Sequence, residues 1–490
     1  MDRILTEGMR FVDEYGRERI FAGMGVCDKR DFDRKKPGMY DGADTFPFEE
    51  FKARGFDVIR LGFTWAAMEP VPGKYNEELI KSISDFLDKC EEYGIYAVLD
   101  CHQDLYSSYC YGDGAPRWAT ITDSFTPHKQ IAVWAEGYFY GRACHRAFDN
   151  FWNNVQFNRK GLQDYFADMW RNLAKELGSK PALFGYDFLN EPFPGADGGK
   201  IFRKAVGSVV KTCITDKRVS LKAMAKEALG PEKPKALDQL TGDVVKKVVA
   251  PCDALVKKFD ETRYSPFVAK MGNAVREITD CGVLFIDNNY YSNMGIPCYN
   301  KLINVNGKTD ALQCFSPHAY DLMVDTPAYK YANNSRVGMI FDEHRRTQER
   351  LGIPCLVGEW GSRADGDGWY PHIRFLLDKF DSYKWSNTYW CYYRNILSED
   401  FMKLLTRPRP RAVTGVIKNY KHDYENGVFT LEYSQEKEYD VPTVIYTDCE
   451  PRSVECDGEF KYSVNKIGEA MGFDIEIKTG IGNHKIRITF

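Results

Sequence analysis

Eight short apolar runs set the limits on what this 490-residue chain can become. They cover 20–26, 57–61, 95–101, 183–189, 283–287, 313–316, 354–358 and 388–392, and each gives way to a loop. Helix-period stretches lie between them at 76–93, 162–177, 341–351 and 373–380. Eight strand–helix repeats predict an α/β fold, a (β/α)8 or TIM barrel, with functional side chains where the strands end. A small hairpin at 10–21 precedes the first run and suits a plug for the barrel floor. The barrel is expected over 1–406, interrupted by a long aromatic loop at 103–158 and a polar helical insertion at 200–280.

The sequence Arg407-Pro-Arg-Pro-Arg411 marks a boundary. Beyond it the apolar pattern has period two, with Gly and Asn turns between runs. Residues 415–490 therefore read as a C-terminal all-β sandwich, a packing appendage in preference to a sugar-binding module.

A net charge of −4 argues against a nucleic-acid partner. Fourteen cysteines show neither CxxC pairs nor zinc spacing. Cys27, Cys101, Cys281, Cys314, Cys355 and Cys391 lie in apolar runs and read as reduced, buried small hydrophobes. No apolar leader opens the chain and no run approaches the roughly 18 residues of a membrane span, which sets a cytoplasmic expectation. Residues 200–260 carry 14 Lys+Arg against 7 Asp+Glu, and Val244, Val245, Val248 and Val249 form an i, i+4 stripe. Basic amphipathic helices can meet an anionic membrane surface; the plainer reading is a solvated decoration or a subunit contact.

Two runs deliver carboxyl groups to the barrel mouth. The fourth ends in Asn190-Glu191-Pro192, where the proline stops the strand. The seventh ends in Gly358-Glu359-Trp360. Strands four and seven lie nearly opposite one another, and two facing carboxyls suit cleavage of a glycosidic bond: one protonates the leaving oxygen, the other attacks the anomeric carbon. His102 and His318 end the third and sixth strands of the same mouth. Cys101 beside His102 lacks an orienting third group and is set aside as a nucleophile. No metal site assembles, and the chemistry needs no cofactor.

These motifs resemble glycoside hydrolase family 5 of clan A. Arg60, His102, Asn190, Glu191, His318, Tyr320, Glu359 and Trp390 all fall where that family places its functional residues. The strings Asp100-Cys-His-Gln-Asp-Leu-Tyr-Ser107, Gly114-Ala-Pro-Arg-Trp-Ala119, Phe148-Asp-Asn-Phe-Trp152, Glu191-Pro-Phe-Pro-Gly195 and Arg409-Pro-Arg-Ala-Val413 resemble its endoglycoceramidase-like, glycosylceramidase branch. The resemblance implies that Glu191 is acid/base and Glu359 nucleophile, with Arg60 and Tyr320 beside the nucleophile. It implies that Asn190 bonds the sugar 2-hydroxyl and that His102, Gln103 and Asp104 meet other hydroxyls. Trp390 is the implied platform under the reacting ring, with Trp134 and Lys29 as further sugar contacts. The string Met24-Gly-Val-Cys-Asp-Lys29 departs from the branch's Asn-containing ending.

The expected activity is that of a retaining β-glycosidase parting a glycan or glucose from a ceramide-like lipid. The alternatives are an intracellular exo-β-glucosidase acting on glucosylceramide, sterol glucosides or other amphipathic glycosides, and a non-catalytic carbohydrate-binding protein on the same scaffold. The expected partners are a glycolipid or other β-glycoside and, through the basic helices 200–260, a membrane surface.

Overall fold

The computed structural model describes residues 1–27, 29, 42–131, 133–228, 237–324, 329–468 and 472–490. Position 28, within the first-strand string quoted above, lies outside the described residues, as do parts of the 103–158 and 200–260 segments.

The eight runs form one parallel sheet of strands Ala22–Cys27, Val58–Thr64, Tyr96–His102, Leu183–Asp187, Val283–Asp287, Gln313–Ser316, Leu356–Gly361 and Ser386–Trp390. Each pairs with its chain neighbours, and the eighth returns to the first. Parallel bridges Phe315–Cys355 and His318–Glu359 close the seam between the sixth and seventh. The barrel is therefore a TIM-type barrel, as the alternation predicts.

Some boundaries differ from the sequence reading. The second strand runs on to Thr64, paired through Phe63 and Thr64 with Cys101 and His102. Arg60 thus lies within a strand and not at its end. The seventh strand continues to Gly361 through an irregular register between Val357 and Trp360, which re-aims Glu359. The helix expected from 341 begins at Asn334, because the Asn333 side chain caps it by accepting from the Ser335 and Arg336 N–H groups.

The N-terminal strands do plug the floor. Ile4, Phe11 and Phe21 pack with Val58, Tyr96, Val98, Phe184, Val283 and Phe285 beneath the strands. The same segment also joins the second domain: Glu18–Arg19 pairs with Arg409–Val413, so Ile4–Glu7, Arg10–Asp13 and Glu18–Arg19 extend a seven-stranded sheet. That sheet packs on a four-stranded one around Ile417, Phe429, Leu431, Ile445, Ile475 and Ile486, a sandwich as expected. The all-β unit is thus built from both chain ends, where the sequence suggested 415–490 alone.

The Arg-Pro-Arg-Pro-Arg boundary is a buried clamp. Arg407 pairs with Asp381, Arg409 with Asp57 at 3.0 Å, and Arg411 with Asp57 at 3.3 Å and Asp474 at 2.8 Å. Each arginine is under a tenth exposed.

The 103–158 segment contains four short helices, Ser108–Cys110, Arg117–Ala119, Glu136–Tyr140 and Arg142–Trp152. In the insertion, Val244, Val245, Val248 and Val249 are all buried, and their helix, Gly242–Val249, packs against Asn334–Leu351 and Ala196–Thr215. Lys246 pairs with Glu343 and Lys247 with Asp216. The valine stripe is therefore a protein contact and faces no lipid. Cys281 also departs from expectation: it is exposed, two residues ahead of its strand, and Cys391 is half-buried.

Candidate active site

The barrel brings Glu191 and Glu359 together at its C-terminal mouth. A carboxylate oxygen of each and a ring nitrogen of His318 all lie within 4.8 Å of one another. The two acids are held differently. Glu359 accepts from Arg60 Nη1 at 2.7 Å on Oε1 and from the Tyr320 hydroxyl at 3.0 Å on Oε2. A guanidinium and a phenol donating to its two oxygens suit an ionised carboxylate. Glu191 accepts from Asn293 Nδ2 at 2.6 Å and faces His318 Nδ1 at 3.2 Å, both on Oε1. Burial, with the negative charge of Asp104 adding to it and the Asn293 bond opposing, lifts its pKa to about 7. One acid is poised to hold a proton near neutrality and the other to attack.

Glu191 occupies the left-handed backbone region, at φ 43°. A non-glycine residue there is strained by about 1–3 kcal/mol. The surrounding bonds hold it: its N–H donates to Asp287 Oδ2 at 3.1 Å, and Gln103 Nε2 donates to the carbonyls of Asn190 and Glu191 at 2.9 and 3.2 Å.

Arg60 organises the floor of the site. Its guanidinium, 1% exposed, contacts Asp100 and Asp187 at 2.9 Å, Glu359 at 2.7 Å and Asp287 at 3.8 Å. It also donates to Asn190 Oδ1 at 2.9 Å. So engaged, it orients the machinery, beside the carboxylate of Glu359 as the resemblance implies. Its bond fixes the Asn190 amide: Oδ1 faces Arg60, Nδ2 donates to the Gln103 carbonyl at 3.0 Å, and one N–H remains for a sugar hydroxyl.

His318 is neutral, since burial, outweighing the pull of Glu359, brings its pKa to about 3. Gly358 gives it room: a Cβ there would stand 2.6 Å from His318 Nε2 and 2.7 Å from Ser316 Oγ. His102 bonds Asp100 through Nδ1 at 2.9 Å and lies parallel to Trp390, ring centres 5.0 Å apart. The Trp390–Cys391 peptide is cis. Lys29 Nζ sits 5.2 Å above the Trp390 ring, 2.5 Å from Asp104 and 3.7 Å from Asp113. Although burial favours the neutral acid, Lys29 holds Asp104 well below the usual carboxylate range. Lys29, His102, Asp104 and Trp390 thus form one shelf beside the carboxyl pair. Trp134 stands apart: 39% exposed on the rim, its ring 6.1 Å from Tyr138.

Two clusters, His102–Asp104–Asp113 and Glu191–His318–Glu359, have ligand atoms close enough to hold a metal. In the first the Lys29 ammonium already neutralises the acids, and in the second the Arg60 guanidinium does.

The sequence reading passed over Asp100, Asp187, Asp287, Asn288 and Asn293. The three aspartates had a signal: each is a charge within or at the end of an apolar strand, and the buried arginine in the second strand requires counter-charges.

Two family models match the chain. The profile described as "Cellulase (glycosyl hydrolase family 5)" matches residues 43–229, and "Glycoside hydrolase family 5 C-terminal domain" matches 407–488. Together they take in more than half of the chain.

The chain belongs to glycoside hydrolase family 5.

Among curated relatives of this family-5 chain is an endoglycoceramidase from Cyanea nozakii, 34% identical over 216 residues, 39% of this chain and 41% of that protein. A glucosylceramidase from Aspergillus fumigatus is 31% identical over 147 residues, 26% of this chain and 19% of that protein. The chain thus aligns with about two-fifths of the length of the endoglycoceramidase. The solved endoglycoceramidase II of Rhodococcus sp., in a cellobiose-like imidazole complex, superposes over 99% of both chains with a TM-score of 0.74 at 21% identity, which shows a shared fold.

Proposed function

We propose that this family-5 chain is a retaining β-glycosidase that cleaves the bond between a glycan or glucose and a ceramide-like lipid. The observation that carries the reading is the carboxyl pair, whose oxygens lie within 4.8 Å while one acid is pushed to about 7 and the other accepts from Arg60 and Tyr320. Retaining pairs stand about 5–5.5 Å apart, inverting pairs about 6.5–9.5 Å. Glu191 protonates the glycosidic oxygen as Glu359 bonds the anomeric carbon. Glu191 then takes a proton from water, whose oxygen displaces Glu359. The lipid aglycone is supported by relatives named endoglycoceramidase and glucosylceramidase. A Rhodococcus structure described as a ganglioside GM3 complex and another as a lactosyl-enzyme intermediate share the fold.

A second reading, removal of a single glucose, is favoured by the similarity to glucosylceramidases and an ergosteryl-β-glucosidase. The shelf of Lys29 and Asp104 favours the first, since it offers charged donors and acceptors beyond the reacting ring.

The partner we propose for the enzyme is a lipid surface. Helix Ala196–Thr215 starts just after Glu191-Pro-Phe-Pro-Gly195, at the mouth. It exposes Val206, Val210 and Ile214 at i, i+4 and i+8, with exposed Lys211, Lys217 and Lys222 nearby. Phe202 stacks on Phe139 at 4.4 Å and joins this face to the rim, where Tyr140 is exposed. Apolar residues flanked by lysines suit an anionic bilayer. No described helix is long and apolar enough to cross a membrane. A cytoplasmic setting stays part of the proposal.

The test is a panel of glucosylceramide, lactosylceramide and a ganglioside with products read by mass spectrometry. Intact oligosaccharide is expected from the longer substrates. Glucose as the sole product supports the exo reading, and no turnover of any member overturns the lipid assignment.

A further inference from the structure

Glu191 works as acid and base only if the transferable proton rides on one defined oxygen. The structure contains a device that selects it. The fifth strand ends at Asp287, and Asn288 and Asn289 follow. The Asn289 side chain caps the turn Tyr290–Met294 by accepting from the Tyr291 and Ser292 N–H groups, and this turn presents Asn293. The backbone N–H of His318 donates to Asn288 Oδ1 at 2.7 Å. Asn288 Nδ2 then donates to Asn293 Oδ1 at 2.6 Å, and Asn293 Nδ2 donates to Glu191 Oε1 at 2.6 Å.

A backbone N–H can only donate, so it fixes which end of the Asn288 amide faces it. That end fixes the next, and Asn293 can turn only its NH2 group toward Glu191. His318 Nδ1 approaches the same Oε1 at 3.2 Å, whereas its Nε2 stands 3.6 Å from Asp287 Oδ2, beyond hydrogen-bond range. The neutral ring's proton belongs on Nδ1, so Oε1 receives two donors.

We propose that Asn293 is a positioning residue, oriented through Asn288 by the His318 backbone, that occupies Oε1 and assigns the transferred proton to Oε2 of Glu191. This rests on the reading of Glu191 as acid/base. In the first step the Oε2 proton passes to the glycosidic oxygen as the C–O bond breaks and Glu359 bonds carbon. In the second, a water proton returns to Oε2 as the water oxygen bonds carbon and Glu359 leaves. By donating to the carboxylate, Asn293 also keeps the buried acid able to ionise for the second step.

The test is the pH dependence of kcat and kcat/KM on 4-nitrophenyl and 2,4-dinitrophenyl β-glucosides or β-cellobiosides. The variants are Asn293→Ala, Asn293→Ser, Asn288→Ala and Glu191→Gln. Losing the donor is expected to move the basic limb of kcat/KM up by about one pH unit in Asn293→Ala. The same variant should lower kcat on the dinitrophenyl glycoside, where base-assisted deglycosylation limits. Asn288→Ala, which frees the Asn293 amide to turn over, should move the limb in the same direction by less. Asn293→Ser, able to donate through its hydroxyl, should restore part of the shift. A folded Asn293→Ala and Asn288→Ala with the wild-type basic limb overturn the proposal. Glu191→Gln separates the two levels: if its basic limb persists, the limb is not that of Glu191 and the acid/base reading falls as well. If the limb vanishes there yet stays fixed in the asparagine variants, only the positioning role falls.

Discussion

Glu191 and Glu359 present carboxylate oxygens within 4.8 Å of each other, yet their hydrogen-bond partners barely overlap. Glu359 is gripped by Arg60 and Tyr320, Glu191 by Asn293, and His318 lies between. The bridge between His318 and Glu359 joins strands six and seven beside the pair. The separation fits the proposed retaining route, and the unequal surroundings fit the two proposed roles.

That division is chemically readable. Glu359→Ala and Glu191→Ala should each lower kcat on unactivated β-glycosides by several orders of magnitude, about 10³-fold or more. Azide should rescue both, with opposite products: an α-glycosyl azide from Glu359→Ala and a β-glycosyl azide from Glu191→Ala. NMR of the isolated azides checks the assignment, and swapped anomers reverse it.

The acid sets the upper pH limit. With its pKa lifted to about 7 by burial and Asp104, Glu191 carries its proton below that value and loses it above. Hydrolysis should therefore fall tenfold per unit on the alkaline side, with the limb of kcat/KM near pH 7. Asp104→Asn removes the charge that helps raise it and should draw the limb downward. A limb unmoved by that change means that burial acts alone.

Much of this was legible in the sequence, for identifiable reasons. The eight strands are buried, so apolar runs betrayed them without alternation. Each glutamate follows an apolar run, and a carboxylate there stands out, although Glu191 lies four residues past Leu183–Asp187 and Glu359 within Leu356–Gly361. Arg60 was recognisable as a neighbour of Glu359 but not as a mid-strand residue, because Leu61–Thr64 read as strand end and loop while the pairing with the third strand continues. Asn293 carried no local signal: it leaves a one-turn helix, and only closure of the barrel lays it against Glu191. The valine stripe at 244–249 shows where a pattern stops short. A helical period reports that one face is apolar and is silent on whether protein or lipid covers it.

Burial also makes fold stability depend on pH. Glu18, Glu69, Asp260 and Glu191 are each raised to about 7, with burial the largest cause. A folded-state pKa above the unfolded value favours the fold fully only below the unfolded value, and the advantage disappears as pH rises through the folded one. The loss should run from about pH 4.5 to 7. Asp57 and Asp104, held low by their cationic neighbours, lose their contribution only in more acid solution. In calorimetry Glu69→Gln, which removes one such acid, should raise Tm at pH 8 relative to pH 5 when compared with wild type, and an unchanged difference contradicts the buried-acid account.

Ile214 is 80% exposed, and with Val206 and Val210 it forms the face proposed to meet lipid. Changing all three to Asp should leave turnover of a soluble aryl glycoside near wild type, since none touches the carboxyl pair. Sedimentation with vesicles containing phosphatidylserine should fall, and hydrolysis of glucosylceramide in those vesicles should drop about tenfold or more. Unchanged sedimentation removes this face from the lipid contact.

The joint between barrel and sandwich can be probed at Asp57, which meets Arg409 at 3.0 Å and Arg411 at 3.3 Å while fully buried. Removing one partner of a buried pair leaves the other uncompensated, at a cost of about 3–5 kcal/mol. Asp57→Asn keeps the shape and removes the charge, so the unfolding free energy from denaturant titration should fall by that amount. Asp57 also accepts from the Ala22 N–H at 3.0 Å, at the start of the first barrel strand. Together with the N-terminal strands that complete the seven-stranded sheet, this bond ties both domains to one stretch of chain. Fluorescence and circular dichroism should report a single coincident unfolding transition in wild type and variant alike. A sandwich that melts separately shows that the clamp does not couple the domains.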